Sequence, residues 1–235
     1  MNKIVAFDID EVFFPLREVF LRTANKIFNS DLDMKDYRKF GFFSHLYTKR
    51  RDLYDRIMTD GGQTGFFKAV GDSEMFLDIP PYKETLDVSL RLKDLGYKIA
   101  IVTSRATEDN PNIFYEDAKR KTLLWMSCFG VPCDLIKFGF NKPTLLRESE
   151  IELNGRVELM IEDHPSNVVK IADAGYPVAL LDQTYNQNKL LNETEGDENT
   201  YGAGTFNEND WKRTLESGLV TRVINVSEVF RLLKR

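Results

Sequence analysis

A repeated alternation constrains this chain more than any other feature: short apolar runs recur, each separated from the next by a segment of helical length. KIVAFD (3–8), YKIAIVTS (97–104), DLIKFG (134–139), RVELMIED (156–163), YPVALLD (176–182) and VTRVINV (220–226) read as strands. Helices are expected at TLDVSLRLKDLG (85–96), IFYEDAKRKTLLWMSCFG (113–130), PTLLRES (143–149), PSNVVKIADAG (165–175) and from Trp211 to Leu219. A closing helix, SEVFRLLKR, would start with Ser227 as its N-cap. Gly96, Gly130 and Gly175 stand where helices need left-handed terminators. Strands alternating with helices imply right-handed βαβ crossovers, and so a doubly wound, Rossmann-like parallel sheet of the α/β class.

Two stretches fall outside the alternation. Residues 16–78 are helical in pattern, rich in aromatics and in alternating charge, with DGGQTG (60–65) as a breaker. Residues 183–209 hold many Asn, Gln, Glu, Gly and Thr and few aliphatics, which predicts a long loop. No internal repeat is visible. A length of 235 residues suits one α/β domain with an inserted subdomain, or two small domains.

The net charge of −5 weighs against a broad nucleic-acid footprint, so stable nucleic-acid binding is not expected. It does not exclude a small anionic ligand, because a metal ion can dominate the charge of one pocket. No apolar stretch of signal-peptide or membrane-spanning length follows MNK, so the expectation is a soluble, cytoplasmic protein without a membrane partner. Cys128 and Cys133 lack the CxxC spacing of a redox or zinc site and are expected to be reduced, partly buried thiols. With His45 and His164 as the chain's two histidines, any metal must sit on oxygen ligands.

Ligands of open parallel sheets bind beyond the carboxyl ends of the strands. The first strand ends in Asp8 and Asp10, the second in Thr103 and Ser104, and the fourth in Glu162 and Asp163, while Lys142 follows the third. The Asp8–Asp10 pair alone reads equally well as turn chemistry, since turns favour aspartate. Charged groups abutting apolar strands are costly unless paired or metal-bound, and here several strand ends agree on one chemistry. Hard oxygen ligands select magnesium. A carboxylate can act as nucleophile, a second one two residues on can move protons, and a lysine with hydroxyls can hold phosphate oxygens. That set suits phosphoryl transfer.

FDIDEVF (7–13), IVTSR (101–105), Lys142 and IEDHPSN (161–167) resemble the four motifs of the haloacid dehalogenase superfamily of phosphohydrolases, in order and each at its strand end. Within it the chain is most similar to the 5'(3')-deoxyribonucleotidase group, through the TS of IVTSR, the ED before HPSN, and IPPYKETLDVSLRLKDLGYKIAIVTSR. The resemblance implies Asp8 as nucleophile and Asp10 as general acid/base, with Thr103, Ser104 and Lys142 on the phosphate. It implies Mg2+ held by the Asp8 carboxylate, the Asp10 backbone carbonyl and Asp163, with Glu162 acting through water and Asn167 supporting. Lys137 is a rival to Lys142, which is preferred because it begins a helix after the strand. Glu11 occupies a position where many relatives have glycine, and is expected to point to solvent. Segment 183–209 has no counterpart in the resemblance.

An insertion after the first motif commonly forms a helical cap in this superfamily, so 16–78 would cap a core made of 1–15 and 79–235. A cap would exclude water and contact substrate. Phe13, Phe14, Phe42, Phe43, Tyr47, Phe66 and Phe67 could stack a base, or could form the cap's own core. Phe14, Phe43 and Arg105 are the candidates for substrate contact. Lys49, Arg50 and Arg51 could attract phosphate or form a solvated helix face. The implied substrate is a small phosphorylated metabolite, a (deoxy)nucleoside monophosphate in the first reading. A sugar phosphate, cofactor precursor or nucleic-acid end, or a non-catalytic binding protein, stand as alternatives, and a homodimer is left open.

Overall fold

Six parallel strands form one sheet: β1 (Asn2–Phe7), β2 (Lys98–Thr103), β3 (Leu135–Phe138), β4 (Gly155–Glu162), β5 (Val178–Leu181) and β6 (Val220–Val223). Their order is β3-β2-β1-β4-β5-β6, that of a doubly wound sheet. The computed structural model describes residues 1–37, 41–73, 75–105, 118–184, 186 and 208–234.

Successive strand residues enter opposite cores, as a period of two requires when both faces are covered. Val5, Phe7, Ile99, Ile101, Leu159 and Ile161 belong to one apolar cluster. Ile4, Ala6, Ala100, Val102 and Met160 belong to the other. The second cluster is closed by α8 (Lys142–Glu152) and α9 (Pro165–Asp173), through Leu146, Val168 and Ile171, and by Trp211 of α10 (Glu208–Glu216). The first is closed by α6 (Lys83–Asp94), α7 (Ala118–Cys128) and the C-terminal segment, through Leu92, Trp125 and Val229.

Residues 16–78 supply five helices to that same first cluster: α1 (Leu16–Phe28), α2 (Phe42–Lys49), α3 (Arg51–Thr59), α4 (Gly62–Asp72) and α5 (Met75–Asp78). Phe20, Phe42, Phe66 and Phe67 pack on one another at centroid distances of 5.1–6.3 Å and continue into Phe14, Phe13 and Phe7. Outgoing and returning crossovers meet where Tyr82 N–H donates to the Phe13 carbonyl at 2.8 Å.

Most elements stand within a few residues of expectation, and the differences have local causes. The predicted short helix 143–149 runs over Lys142–Glu152, because Asn141 accepts from the Thr144 N–H as its N-cap and Pro143 fits the first turn. The breaker at 60–65 is narrower than expected: Gly61, at φ 99°, ends one helix and the next begins at Gly62. Ser227 is not the final N-cap. Asn225 and Glu228 form a capping box around a 3-10 turn, Val226–Glu228, before α11 (Val229–Leu232). Of the helix expected over 113–130, Ala118–Cys128 is helical, while 113–117 lie outside the described residues, as do 185 and 187–207 of the expected long loop. Cys133 is half-buried, but Cys128 is exposed, and both are free.

Candidate active site

Two acidic strand ends come together where the strand order reverses. β1 and β4 pair in parallel with a register shift between Ile4 and Val5, after which Phe7 stands opposite Ile161. The bulge therefore brings Asp8 level with Glu162, and Asp8 N–H donates to the Ile161 carbonyl at 3.0 Å. Gly155 opens β4 because a Cβ there would lie 2.8 Å from the Asn2 carbonyl oxygen.

Lys142, the first residue of α8, reaches into this switch point. Its Nζ lies 2.8 Å from Asp8 Oδ2 and 2.5 Å from Glu162 Oε2, with all three side chains buried. Burial works to lower the lysine's pKa, and the two carboxylates outweigh it, so the ammonium is held well above its ordinary range. Burial likewise works to raise Glu162, but Lys142 and the His164 N–H overcome it and hold that carboxyl low. Glu162 is fully engaged, since Oε1 accepts from the His164 N–H at 3.0 Å and from Asn167 Nδ2 at 3.3 Å.

Asp8 is placed differently. Burial pushes it up to about 7, against the opposing pull of Lys142. Its Oδ1 is buried without a hydrogen-bond partner among the described residues. Such an atom is costly unless something else approaches it. Asp8, Glu162 and Asp163 each offer an oxygen within 4.8 Å of the others. Three buried carboxylates grouped together, two of them also meeting the Lys142 ammonium, offer the hard oxygen ligands that fit a divalent cation such as magnesium. Asp8 Oδ1 and the Asp163 carboxylate could hold it, while Glu162 is engaged by Lys142, His164 and Asn167.

Asp10 is gripped by Arg105, not free. Arg105 Nε donates to both Asp10 oxygens, at 2.9 and 3.0 Å, and a second guanidinium nitrogen also meets Oδ1. The guanidinium lies 4.1 Å over the Phe14 ring and 5.2 Å from that of Phe76. Arg105, the candidate for substrate contact, is 1% exposed, and its guanidinium meets Asp10. Thr103 is buried, with its hydroxyl accepting from the Arg105 N–H at 3.3 Å, and Ser104 beside it is half-buried. Lys137 points elsewhere, pairing with Glu148 at 3.2 Å and with Glu152, so of the two lysines Lys142 meets Asp8.

The aromatic candidates divide. Phe13, Phe14, Phe42, Phe66 and Phe67 are buried, the core alternative for these rings, and Phe14, a candidate for substrate contact, is covered by Phe76, Trp125 and Arg105. Phe43 is half-buried against Phe42, Phe66 and Phe67, and Tyr47 is exposed beneath Arg51. Arg50 pairs with Asp31 and Asp52, and Arg51 with Asp55, as on a solvated helix face.

Glu11 contradicts its expected place. It is 3% exposed, its backbone is left-handed at φ 56°, and burial pushes its carboxyl up to about 7. Sequence reading also missed Asn186. Its amide donates to the Asp163 carbonyl at 2.8 Å and the Leu181 carbonyl at 2.7 Å, tying the segment after β5 to the acidic pair. Arg222 on β6 closes this network onto Asp182 and the Asn186 carbonyl. The one available cue was the cluster of polar residues just after a strand.

No family model matches the chain, and no curated protein does. Solved structures do. A candidate beta-phosphoglucomutase from Thermotoga maritima superposes with a TM-score of 0.57 at 16% identity, covering 100% of this chain and 99% of that one. A candidate phosphatase from Clostridium difficile gives 0.56 at 15% identity, covering 99% of each. L-2-haloacid dehalogenase from Xanthobacter autotrophicus, with chloropropionic acid covalently bound, gives 0.54 at 15% identity, covering 100% and 99%. At these identities the likeness is one of fold: the chain has the doubly wound α/β architecture of haloacid dehalogenase-like proteins.

Proposed function

We propose that this protein is a magnesium-dependent phosphohydrolase that cleaves a small phosphate monoester through an aspartyl-phosphate on Asp8. The observation that carries the reading is the asymmetry of Asp8. One oxygen is held by Lys142 at 2.8 Å, and the other is buried, unpartnered and within reach of Asp163. Lys142 fixes the carboxylate and, with the Thr103 and Ser104 hydroxyls, supplies positive and polar groups for phosphate oxygens. Magnesium, when bound at Asp8 and Asp163 with the Asp10 carbonyl, would add charge neutralisation for the phosphoryl group. Glu162 acts by positioning Lys142.

In the first half-reaction an Asp8 oxygen attacks phosphorus as the ester P–O bond breaks, and Asp10 protonates the leaving oxygen. In the second, Asp10 takes a proton from water, which attacks the phosphorus and releases Asp8 and inorganic phosphate. Asp10 accepting hydrogen bonds from Arg105 is poised as the proton acceptor of this second step. Residues 16–78 are proposed as a cap over this edge, on a core of 1–15 and 79–235. The motif resemblance favours a nucleoside monophosphate as substrate, within a nucleotidase role; the phosphoglucomutase among the fold neighbours favours testing sugar phosphates beside it.

A screen of phosphorylated metabolites tests the class. Activity is expected with magnesium, is expected to vanish on chelation, and should return poorly with zinc. Turnover unaffected by chelator would overturn the metal assignment. Asp10→Asn should slow hydrolysis by about 10²–10⁴-fold for a natural ester. It should slow nitrophenyl phosphate less, because that leaving group needs little protonation; equal losses would remove Asp10 from the acid role.

A further inference from the structure

We infer that Glu11 is a positioning residue: it ties both crossovers of the 16–78 insertion to the loop carrying Asp8 and Asp10, and so fixes Asp10 for proton transfer. The inference rests on the reading of Asp10 as the acid/base and adds a residue to it.

Every hydrogen-bonding group of Glu11 is committed, and each to a different part of the chain. Its N–H donates to the Phe14 carbonyl at 2.8 Å, closing the loop after Asp10. Its carbonyl accepts from Gln183 Nε2 at 3.0 Å, from the segment after β5. Oε1 accepts from the Arg17 N–H at 2.7 Å, at the start of α1, where the insertion leaves the core. Oε2 accepts from the Tyr82 hydroxyl at 3.2 Å, where the insertion returns to α6.

The Arg17 bond has a particular use. Pro15 precedes α1 and provides no side-chain cap, so first-turn N–H groups need an outside acceptor. The Glu11 carboxylate supplies it, as a charge placed at the positive end of the helix. The insertion's first helix is thus capped by the residue next to Asp10.

The backbone points the same way. A glutamate at φ 56° occupies a region that residues with a Cβ seldom adopt. Such a conformation persists where the surroundings over-determine it. Glycine would enter it freely, but would leave Arg17 and Tyr82 without their shared acceptor. What a glutamate adds over glycine at this position is the carboxylate, and both of its oxygens go to the crossovers.

Glu11→Gly and Glu11→Gln of the full chain separate this role from a merely structural one. Glycine suits the backbone, so Glu11→Gly should fold, and glutamine keeps an acceptor for Arg17 and an amide for the Tyr82 oxygen. With magnesium and the best monoester from the metabolite screen, kcat of Glu11→Gly should fall by about 10- to 100-fold with KM changed far less, as expected of a small misplacement of a reacting group, and nitrophenyl phosphate should lose less. Glu11→Gln should recover most of kcat. Hydrogen exchange at the Arg17 amide should quicken in Glu11→Gly and not in Glu11→Gln. Wild-type kcat in Glu11→Gly, or an equal fall in Glu11→Gln, overturns the inference. Should the wild-type protein cleave no phosphate ester, the proposed function fails separately; unchanged Arg17 exchange in Glu11→Gly would then overturn the clamp.

Discussion

Asp8→Asn is expected to remove turnover altogether, by at least about 10⁴-fold, while giving a protein that unfolds at the same temperature as wild type or higher. The substitution keeps shape and an acceptor for Lys142, but removes the carboxylate proposed as nucleophile. The stability half of the expectation follows from burial, which raises Asp8 from an ordinary 3.8 to about 7. An acid whose folded value exceeds its unfolded one costs stability that grows as pH rises through that window and is complete above it. At pH 8, without added metal, the asparagine protein should therefore melt at or above wild type, and the difference should shrink toward pH 4. Activity and melting curves across that range check both halves. Turnover near wild type would end the nucleophile assignment, and a large fall in melting temperature at pH 8 would show that Asp8 stabilises the fold instead of burdening it.

The candidate site residues are legible because they sit at the ends of apolar strands, where a charge is conspicuous. Asp8, Thr103, Lys142, Glu162 and Asp163 were found that way, and all of them lie at one edge of the sheet. What escaped depends on distances along the chain that no local pattern carries. The bulge in β4 is an example: RVELMIED reads as one even strand, yet an extra residue near Glu158 sets which carboxylate faces Asp8. Arg105 stands in the IVTSR motif as a candidate for substrate contact, but its grip on Asp10 spans 95 residues of sequence. Glu11, at a position where many relatives have glycine, was expected to point to solvent. Its partners, Arg17, Tyr82 and Gln183, come from three separate segments. The aromatics were legible only as a pair of readings, stacking a base or forming a core, and Phe14, Phe42, Phe66 and Phe67 took the core.

Lys142→Met should destabilise the protein strongly as well as silence it. The ammonium lies between Asp8 and Glu162 with all three groups shielded from water, and methionine fills similar space without charge. Removing one partner from a buried ion pair costs about 3–5 kcal/mol, because the remaining charge is left uncompensated. In a protein of this size that corresponds to a fall of roughly 6–20 °C in melting temperature. Two further measurements separate this account from general damage to the core. Lys137→Met breaks contacts with Glu148 and Glu152, carboxylates that are 45% and 48% exposed, and should cost about 1 kcal/mol or less with normal turnover. Magnesium should restore part of the Lys142→Met loss, since a cation at Asp8 and Asp163 supplies positive charge where the ammonium stood. Repacking damage would not respond to the ion. If Lys142→Met melts like wild type, or if magnesium leaves its melting temperature unmoved, then the buried carboxylates do not depend on Lys142 for their compensation, and the charge balance proposed for this site is wrong.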